Sequence, residues 1–459
     1  MLINLCTLKT LQVFPCHNIY KRGFLMMFNK DIETMPVNKL KELQVERLKW
    51  SLSHAYNNNK IYHDKFDKAG FNPDKFKSLD DMKYVPFLTK QEMRDAYPFG
   101  LFAVPLDKVV RVHSSSGTTG NATIGGLTKH DVDVFGEIVA RAICAYGGSE
   151  KDVIQVAFGY GLFTGGLGLH FGTEKLGALS VPISGGNTER QLMLIKDFGT
   201  TMIACTPSYA INVADYIEKN APDYDLKSTK LRKAILGSEP WSERMRQEIE
   251  KRLGIDAYDI YGLSEVMGPG VSAECTEKSG LHICEDHFYA EIINSETGEI
   301  LPEGSEGEIV YTSLTKEAFP TIRYRSKDIT RLYRDDCKCG RTHIKMARVS
   351  GRNDDMLIIR GVNVFPSQIE NVLIGIDGLS PHYQVILDRK TAMDDVSVMV
   401  EIDTNKISDK LPEMDALRKR ASEKLKNVLG VSMHVTLVEP MTIERSEGKA
   451  KRVIDKRIM

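Results

Sequence analysis

From residue 27 to about residue 101, apolar positions recur with a helical rhythm among charged ones, most clearly over residues 37–53. Residues 109–113 then alternate as a strand and run into Ser114-Ser115-Ser116-Gly117-Thr118-Thr119-Gly120. A helix is predicted to open at Thr128, with Asp131 three residues on as its capping partner. Beyond it, short apolar runs alternate with helical stretches. Residues 153–158, 178–182, 202–205, 234–236 and 258–261 read as buried strands. Residues 188–198, capped by Thr188 and stopped by Gly199, read as a helix, as do residues 242–253, closed by Gly254. This alternation predicts an α/β fold, with parallel βα units in a large multi-sheet N-terminal domain.

The pattern changes after about residue 350. Residues 356–359, 383–387, 396–402 and 433–438 read as strands, and a charged amphipathic helix lies within 411–429. These suffice for a small, mobile α+β C-terminal domain over 351–459, behind a main domain over 27–350. The segment Gly351-Arg352-Asn353-Asp354-Asp355 is polar and glycine-led, as a hinge requires.

Composition narrows the function classes. A chain of 459 residues is too long for one simple core. Its 61 basic against 62 acidic residues leave no electrostatic footprint for nucleic acid or an anionic membrane. No apolar run is long enough to span a bilayer. Eight cysteines at this length do not make a disulfide scaffold, so a reducing cytoplasm is expected. Residues 1–26 are mildly apolar, with Lys9, Lys21 and Arg22 and no acidic residue. They read either as a targeting segment or as sequence upstream of a start at Met27.

Five short segments carry candidate chemistry. The Ser114–Gly120 run has the small residues and hydroxyls that cradle a polyphosphate, without the spacing of a Walker loop. Asp259-Ile260-Tyr261-Gly262-Leu263-Ser264-Glu265 delivers a ring, a glycine, a hydroxyl and a carboxylate suited to a base, a phosphate and Mg²⁺. Asp328 follows Arg323-Tyr324-Arg325-Ser326-Lys327, where a carboxylate can grip ribose hydroxyls. Arg352 lies in the hinge segment, with Gly361 beyond it. Lys449 stands on the loop Arg445-Ser446-Glu447-Gly448, free to bring a point charge to a phosphoryl group. Taken singly, each also reads as an ordinary surface loop.

Their order and spacing resemble the core motifs of adenylate-forming enzymes: acyl-CoA synthetases, luciferases and peptide-synthetase adenylation domains. The match is closest to the phenylacetate–CoA ligase family. It runs from about Asn29 to Asp455, which favours a start at Met27. It is carried also by Tyr160-Gly161-Leu162-Phe163-Thr164-Gly165-Gly166, by Ser184-Gly185-Gly186-Asn187-Thr188-Glu189-Arg190-Gln191 and by Met356-Leu357-Ile358-Ile359-Arg360-Gly361-Val362-Asn363. The resemblance implies an ATP-dependent ligase that makes an acyl-adenylate, releases pyrophosphate and passes the acyl group to coenzyme A. It implies that Ser114 to Gly120 hold the triphosphate, and that Gly237, Ser238, Glu239, Pro240 and Tyr261 frame the adenine. Asp328 and Arg352 would hold the ribose, Glu265 the Mg²⁺, and Lys449 the reacting phosphorus. Asp354 would be the hinge and Gly361 would line the pantetheine path. Phe158, Tyr160 and Phe163 would pack an aryl acid, most simply phenylacetate, or else stand as core aromatics. A homodimer is implied too.

Two positions depart from the family pattern. Asn121-Ala122 stand where Lys-Pro is usual, and Lys327 stands where glycine is common. Loss of a cation beside the phosphates is expected to weaken ATP binding or the transition state. Cys275, His282, Cys337 and Cys339 form a candidate tetrahedral zinc set, with Cys284, His287 and His343 as rival ligands. Other readings stay open: another aryl acid such as indoleacetate, transfer to a carrier protein, or a catalytically weak acid-binding protein.

Overall fold

The computed structural model describes residues 27–115, 122–353, 355–359, 362–388, 395–404, 406, 411–446 and 449–457. The N-terminal extension, residues 1–26, lies outside them. The charged N-terminal stretch folds as α1 (Lys30–Glu33), α2 (Val37–Asn58), α3 (Lys60–Lys68) and α4 (Lys90–Asp95). In α2, Leu40, Gln44, Leu48, Leu52 and Ala55 are buried, a stripe at three- and four-residue spacing that presses the helix onto the core. A hairpin of β1 (Val109–Ser114) and β2 (Ile124–Thr128) brackets the glycine- and hydroxyl-rich loop. Thr128 and Asp131 then form the expected reciprocal cap of α5 (Lys129–Ala145).

The alternating region builds one end of a 12-stranded sheet. It runs β3 (Val153–Val156), α6 (Thr164–Leu176), β4 (Leu179–Val181), α7 (Thr188–Asp197), β5 (Met202–Cys205), α8 (Pro207–Asn220), β6 (Lys233–Gly237), α9 (Glu243–Leu253) and β7 (Asp256–Leu263). The parallel strands lie in the order β4-β3-β5-β6-β7. The chain steps from β3 outward to β4 and then back across to β5, so a crevice opens at the carboxyl ends of these strands. Helix α6 lies close to α5 because two of its glycines face bulky residues. A Cβ on Gly172 would sit 2.2 Å from Val139 Cγ1, and one on Gly168 would sit 2.5 Å from Phe135 Cζ. The cap of α7 differs from expectation: Asn187 Oδ1, not Thr188, accepts the Arg190 N–H at 3.1 Å.

The rest of the sheet is antiparallel, which the parallel expectation did not include. It comprises β8 (Gly268–Ala273), β9 (Leu281–Ile283), β10 (Phe288–Ile293), β11 (Glu306–Ser313), β12 (Tyr324–Tyr333), β13 (Lys345–Met346) and β14 (Gly351–Arg352). Short connections replace helices here, so neighbouring strands reverse direction. A separate core follows, made by the hairpin β15 (Leu357–Ile359) and β16 (Val362–Val364), α10 (Pro366–Ile374), β17 (Leu379–Asp388), β18 (Asp395–Ile402), α11 (Leu411–Leu429), β19 (His434–Val438) and β20 (Val453–Asp455). Its four-stranded sheet has the order β19-β18-β17-β20. Among the described residues, no helix is long and apolar enough to cross a membrane.

Candidate active site

The loops at the carboxyl ends of the parallel strands carry unusual backbone. Ser184 (φ 71°), Asn187 (φ 47°) and Ser238 (φ 77°) are all left-handed, a conformation that costs a side-chain-bearing residue about 1 kcal/mol or more. Buried bonds hold the 184–187 turn. Gln191 Nε2 donates to Ser184 O at 2.8 Å, and Gln155 Nε2 donates to Gln191 Oε1 at 2.6 Å. At the end of β6, a Cβ on Gly237 would lie 2.3 Å from Ile260 O, so only glycine lets β6 and β7 close up there.

Tyr261 and Asp328 meet across the crevice, the Tyr261 hydroxyl donating to Asp328 Oδ2 at 2.7 Å. Asp328 pairs with Arg352 across β12 and β14, and Arg352 Nε lies 3.6 Å from Asp328 Oδ1. This carboxylate, ring and guanidinium cluster comes from three elements far apart in sequence. Asp259 and Ile260 face elsewhere. Ile260 belongs to the main core. The Asp259 carboxyl lies 3.5 Å from Arg348 Nε, and burial, reinforced by Glu274, holds it above the usual carboxylate range.

Glu265 follows on the turn after β7 and is buried. Its Oε1 accepts the Thr123 hydroxyl at 3.1 Å, and that hydroxyl sits 2.7 Å from Ser115 Oγ. The carboxylate therefore adjoins the start of the loop between β1 and β2. Ser114 is fixed from the other side, its N–H donating to Leu162 O at 2.9 Å. Ser116, Gly117, Thr118, Thr119, Gly120 and Asn121 lie outside the described residues, as do Asp354 and Gly361. Ser264 Oγ lies 3.2 Å from Thr164 Oγ1 at the start of α6, and Gly262 is part of the irregular β7–β8 pairing.

Two lysines near Glu265 carry no signal in the sequence pattern. Lys316 Nζ donates to Val266 O at 2.8 Å and to Glu265 O at 3.3 Å, and the Thr321 hydroxyl donates to Glu265 O at 2.8 Å. Burial pushes the Lys316 ammonium down to about 8. It acts on the backbone of the turn, fixing where the carboxylate points. Lys90, at the start of α4, brings its Nζ within 3.7 Å of Glu265 Oε1.

Lys449 approaches from the C-terminal region. Desolvation lowers its pKa below the ordinary lysine value, and Arg352 adds to this. Glu239, Glu265 and Asp328 pull the other way, so all four groups act on one ammonium. The loop is held there by Glu239, whose Oε2 accepts the Ala450 N–H at 3.1 Å while Oε1 accepts the Ser208 N–H at 2.7 Å.

The three aromatics differ in setting. Phe158 is buried against Gly165. Tyr160 is half-buried, its hydroxyl 3.5 Å from His170 Nδ1, and burial pushes its phenol up to about 12. Phe163 is 50% exposed at the mouth of α6, so it offers an edge rather than a wall. Far along the sheet, Cys275, His282, Cys337 and Cys339 bring one ligand atom each to within 4.8 Å of one another. The rivals are engaged elsewhere: Cys284 Sγ with Gly270 O, His287 with Thr315, and His343 with the Ile283 and Ile32 carbonyls.

Known proteins share this arrangement. The AMP-binding enzyme family model matches residues 76–315, and the AMP-binding enzyme C-terminal domain model matches residues 361–457. The phenylacetate-coenzyme A ligase of Escherichia coli is 51% identical over 427 residues, covering 93% of this chain and 97% of that one. That of Thermus thermophilus is 48% identical over 446 residues, covering 94% of this chain and 100% of its own. Among solved structures, a 2-hydroxyisobutyryl-CoA ligase in the postadenylation state with 2-HIB-AMP superposes with a TM-score of 0.89 at 28% identity, over 96% of this chain and 94% of that one. The same ligase with CoA in the thioesterfication state gives 0.69 at 30% identity, over 94% and 92% of the two chains, so the arrangement here is nearer the postadenylation one. This chain belongs to the phenylacetate-coenzyme A ligase family of AMP-binding, adenylate-forming enzymes.

Proposed function

We propose that this chain activates phenylacetate with ATP and passes the phenylacetyl group to coenzyme A. The acid's carboxylate attacks the α-phosphate and pyrophosphate leaves. The coenzyme A thiol then attacks the mixed anhydride and AMP leaves. One observation carries the reading: the loop bearing Lys449 is seated on the nucleotide crevice, the Ala450 N–H next to it donating to Glu239 Oε2 at 3.1 Å. A cation there can stabilise charge developing on the reacting phosphorus, while Tyr261, Asp328 and Arg352 orient the nucleoside. No protein nucleophile is required. Ser114 through Gly120 would take the triphosphate.

Glu265 suits Mg²⁺, being a buried hard-oxygen donor beside the Thr123 and Ser115 hydroxyls. Bound there, the ion would neutralise phosphate charge. For thioester formation Lys449 must leave so that the thiol can enter, with Asp354 as the hinge and Gly361 lining the pantetheine path. Phe158 and Tyr160 would pack the aryl ring. One methylene in such a pocket is worth about 1–3 kcal/mol, so indoleacetate is the natural competitor.

The four-residue cluster fits structural zinc. A Zn–S bond of about 2.3 Å makes a tetrahedron whose S···S edge is about 3.8 Å. Cys275 Sγ and Cys337 Sγ are 3.6 Å apart, and Cys339 Sγ lies 3.5 Å from His282 Nε2. A cytoplasmic homodimer completes the reading, and light scattering on the purified protein measures the second half of that.

The test is an incubation with ATP, Mg²⁺, coenzyme A and a panel of aryl acids, reading AMP and acyl-CoA. AMP release that requires coenzyme A, and is fastest with phenylacetate, supports the proposal. Adenylate without acyl-CoA points instead to a carrier protein as acceptor. No product from any acid overturns an enzymatic role.

A further inference from the structure

Contacts between the C-terminal core and the larger sheet converge on one carboxylate that no chemical step uses. Asp215, on α8, accepts from His382 Nε2 at 2.7 Å and faces Arg445 Nη2 at 3.3 Å, both from the C-terminal region. From its own side it accepts from Arg252 Nη2 at 2.8 Å. Its side chain is only 13% exposed, so these bonds are made away from bulk water.

Arg445 stands four residues before Lys449 and is held rigidly. Its Nη1 and Nη2 donate to the Glu401 carboxylate at 2.8 and 2.7 Å, and the same carboxylate accepts the Ile443 N–H at 2.9 Å. One residue beyond Lys449, the Ala450 N–H is bound to Glu239 at 3.1 Å. The lysine loop is therefore gripped on both shoulders by carboxylates of the larger domain, Asp215 on one side and Glu239 on the other.

We infer that Asp215 is a positioning residue for adenylation: it seats the Lys449 loop over the nucleotide site, and its release accompanies thioester formation. This rests on the proposed swing of the C-terminal region. The electrostatics favour so decisive a role. With Asp215 in place, the cations Arg252 and Arg445 share an anion between them. Without it Arg445 keeps Glu401 and Arg252 keeps Glu218, but the anion that bridges the two arginines across the interface is gone and the contact loses its attraction.

The test uses the full-length protein with Asp215→Asn, and His382→Asn as a second variant that weakens the same seat from the opposite side. ATP–pyrophosphate exchange at saturating ATP and phenylacetate should fall tenfold or more in the first and less in the second. Formation of phenylacetyl-CoA from supplied phenylacetyl-adenylate should stay within twofold of the unmutated protein. Equal losses in both half-reactions would mean a merely structural role, and unchanged exchange would mean no role; either overturns the inference. If the unmutated protein shows no exchange with any aryl acid, the functional reading fails and the seat is judged by hydrogen–deuterium exchange alone. In that case Asp215→Asn must speed exchange over residues 379–388 and 443–450, and unchanged rates there sink it.

Discussion

Lys327 adopts a φ of 68°, directly before the candidate ribose carboxylate Asp328. The sequence marked it only as a lysine where glycine is common; the backbone supplies the reason. The residue must turn left-handed so that its carbonyl can accept the Asn353 N–H at 2.7 Å and bring Arg352 beside Asp328. A lysine there costs about 1–2 kcal/mol, and its 3.9 Å approach to Glu308, with 40% of the lysine exposed, returns little. Lys327→Gly should therefore stabilise the fold by about 0.5–1 kcal/mol after the extra freedom of the unfolded glycine is counted, seen as a higher urea midpoint. A lower midpoint would show that the ion pair outweighs the strain. Lys90 bears on the other departure. With Asn121 in place of the usual lysine, α4 still brings a cation, Lys90, to within 3.7 Å of the Glu265 carboxylate. We expect Lys90→Met to raise the KM for ATP about tenfold, equivalent to about 1.4 kcal/mol, with little change in the KM for phenylacetate. Equal rises in both would assign Lys90 a packing role. Tyr261, Asp328 and Arg352, which the structure brings together, each stand in a contiguous motif of the sequence, as do the candidates Glu265 and Lys449. Lys90, Thr123 and Lys316 were not legible there, because their partners lie far away in sequence and nothing local marks them.

At the scale of elements, the parallel strands could be read because each is a short apolar run closed by a helix cap. The antiparallel half could not. Its strands carry buried charge that breaks the apolar pattern: Arg323 Nε lies 3.0 Å from Glu291 Oε2 and Arg325 Nη2 lies 2.6 Å from Glu308 Oε2. Such pairs hold only while both partners are present. The Cys/His cluster joins two of these elements, since Cys275 and His282 flank the turn from β8 to β9 while Cys337 and Cys339 lie between β12 and β13. The first turn leaves from β8, which pairs with the Tyr261 strand β7, and the second leaves from β12, which bears Asp328, so a metal there would tie together the two halves of the ribose grip. Metal analysis of the purified protein should find about one zinc per chain, and Cys337→Ser should remove it. The same substitution should lower Tm, by roughly 2–4 °C for each kcal/mol lost, and weaken ATP binding. A metal-free unmutated protein would end the idea.

For the whole molecule, the question is what balances the C-terminal core on the larger domain. Its α10 meets the start of α9, where Glu370 Oε1 accepts the Ser242 N–H at 3.3 Å. Burial pushes the Glu370 carboxyl up to about 7; Arg452, 3.7 Å away, opposes this while Glu239 reinforces it. The docked form thus binds a proton that the separated form, with a carboxyl near 4.5, has already lost. Docking is consequently favoured at low pH, loses free energy as pH rises from about 4.5 to about 7, and is flat above that. His382 acts in the opposite sense: burial lowers its pKa despite Asp215, so its protonation as pH falls disfavours docking. Comparing the unmutated protein with Glu370→Gln isolates the carboxyl, because His382 is common to both. The variant should dock more tightly, with an advantage that grows across the 4.5–7 window and then stays constant. Trp241 provides the signal. It precedes Ser242 and lies in a cluster that Ile374 of α10 joins, so in a Trp50→Phe background its emission should follow docking. Parallel pH curves for the two proteins would show that Glu370 is not linked to the swing. A divergence confined to that window would mean that acidity biases the enzyme toward the arrangement in which Lys449 faces the nucleotide site.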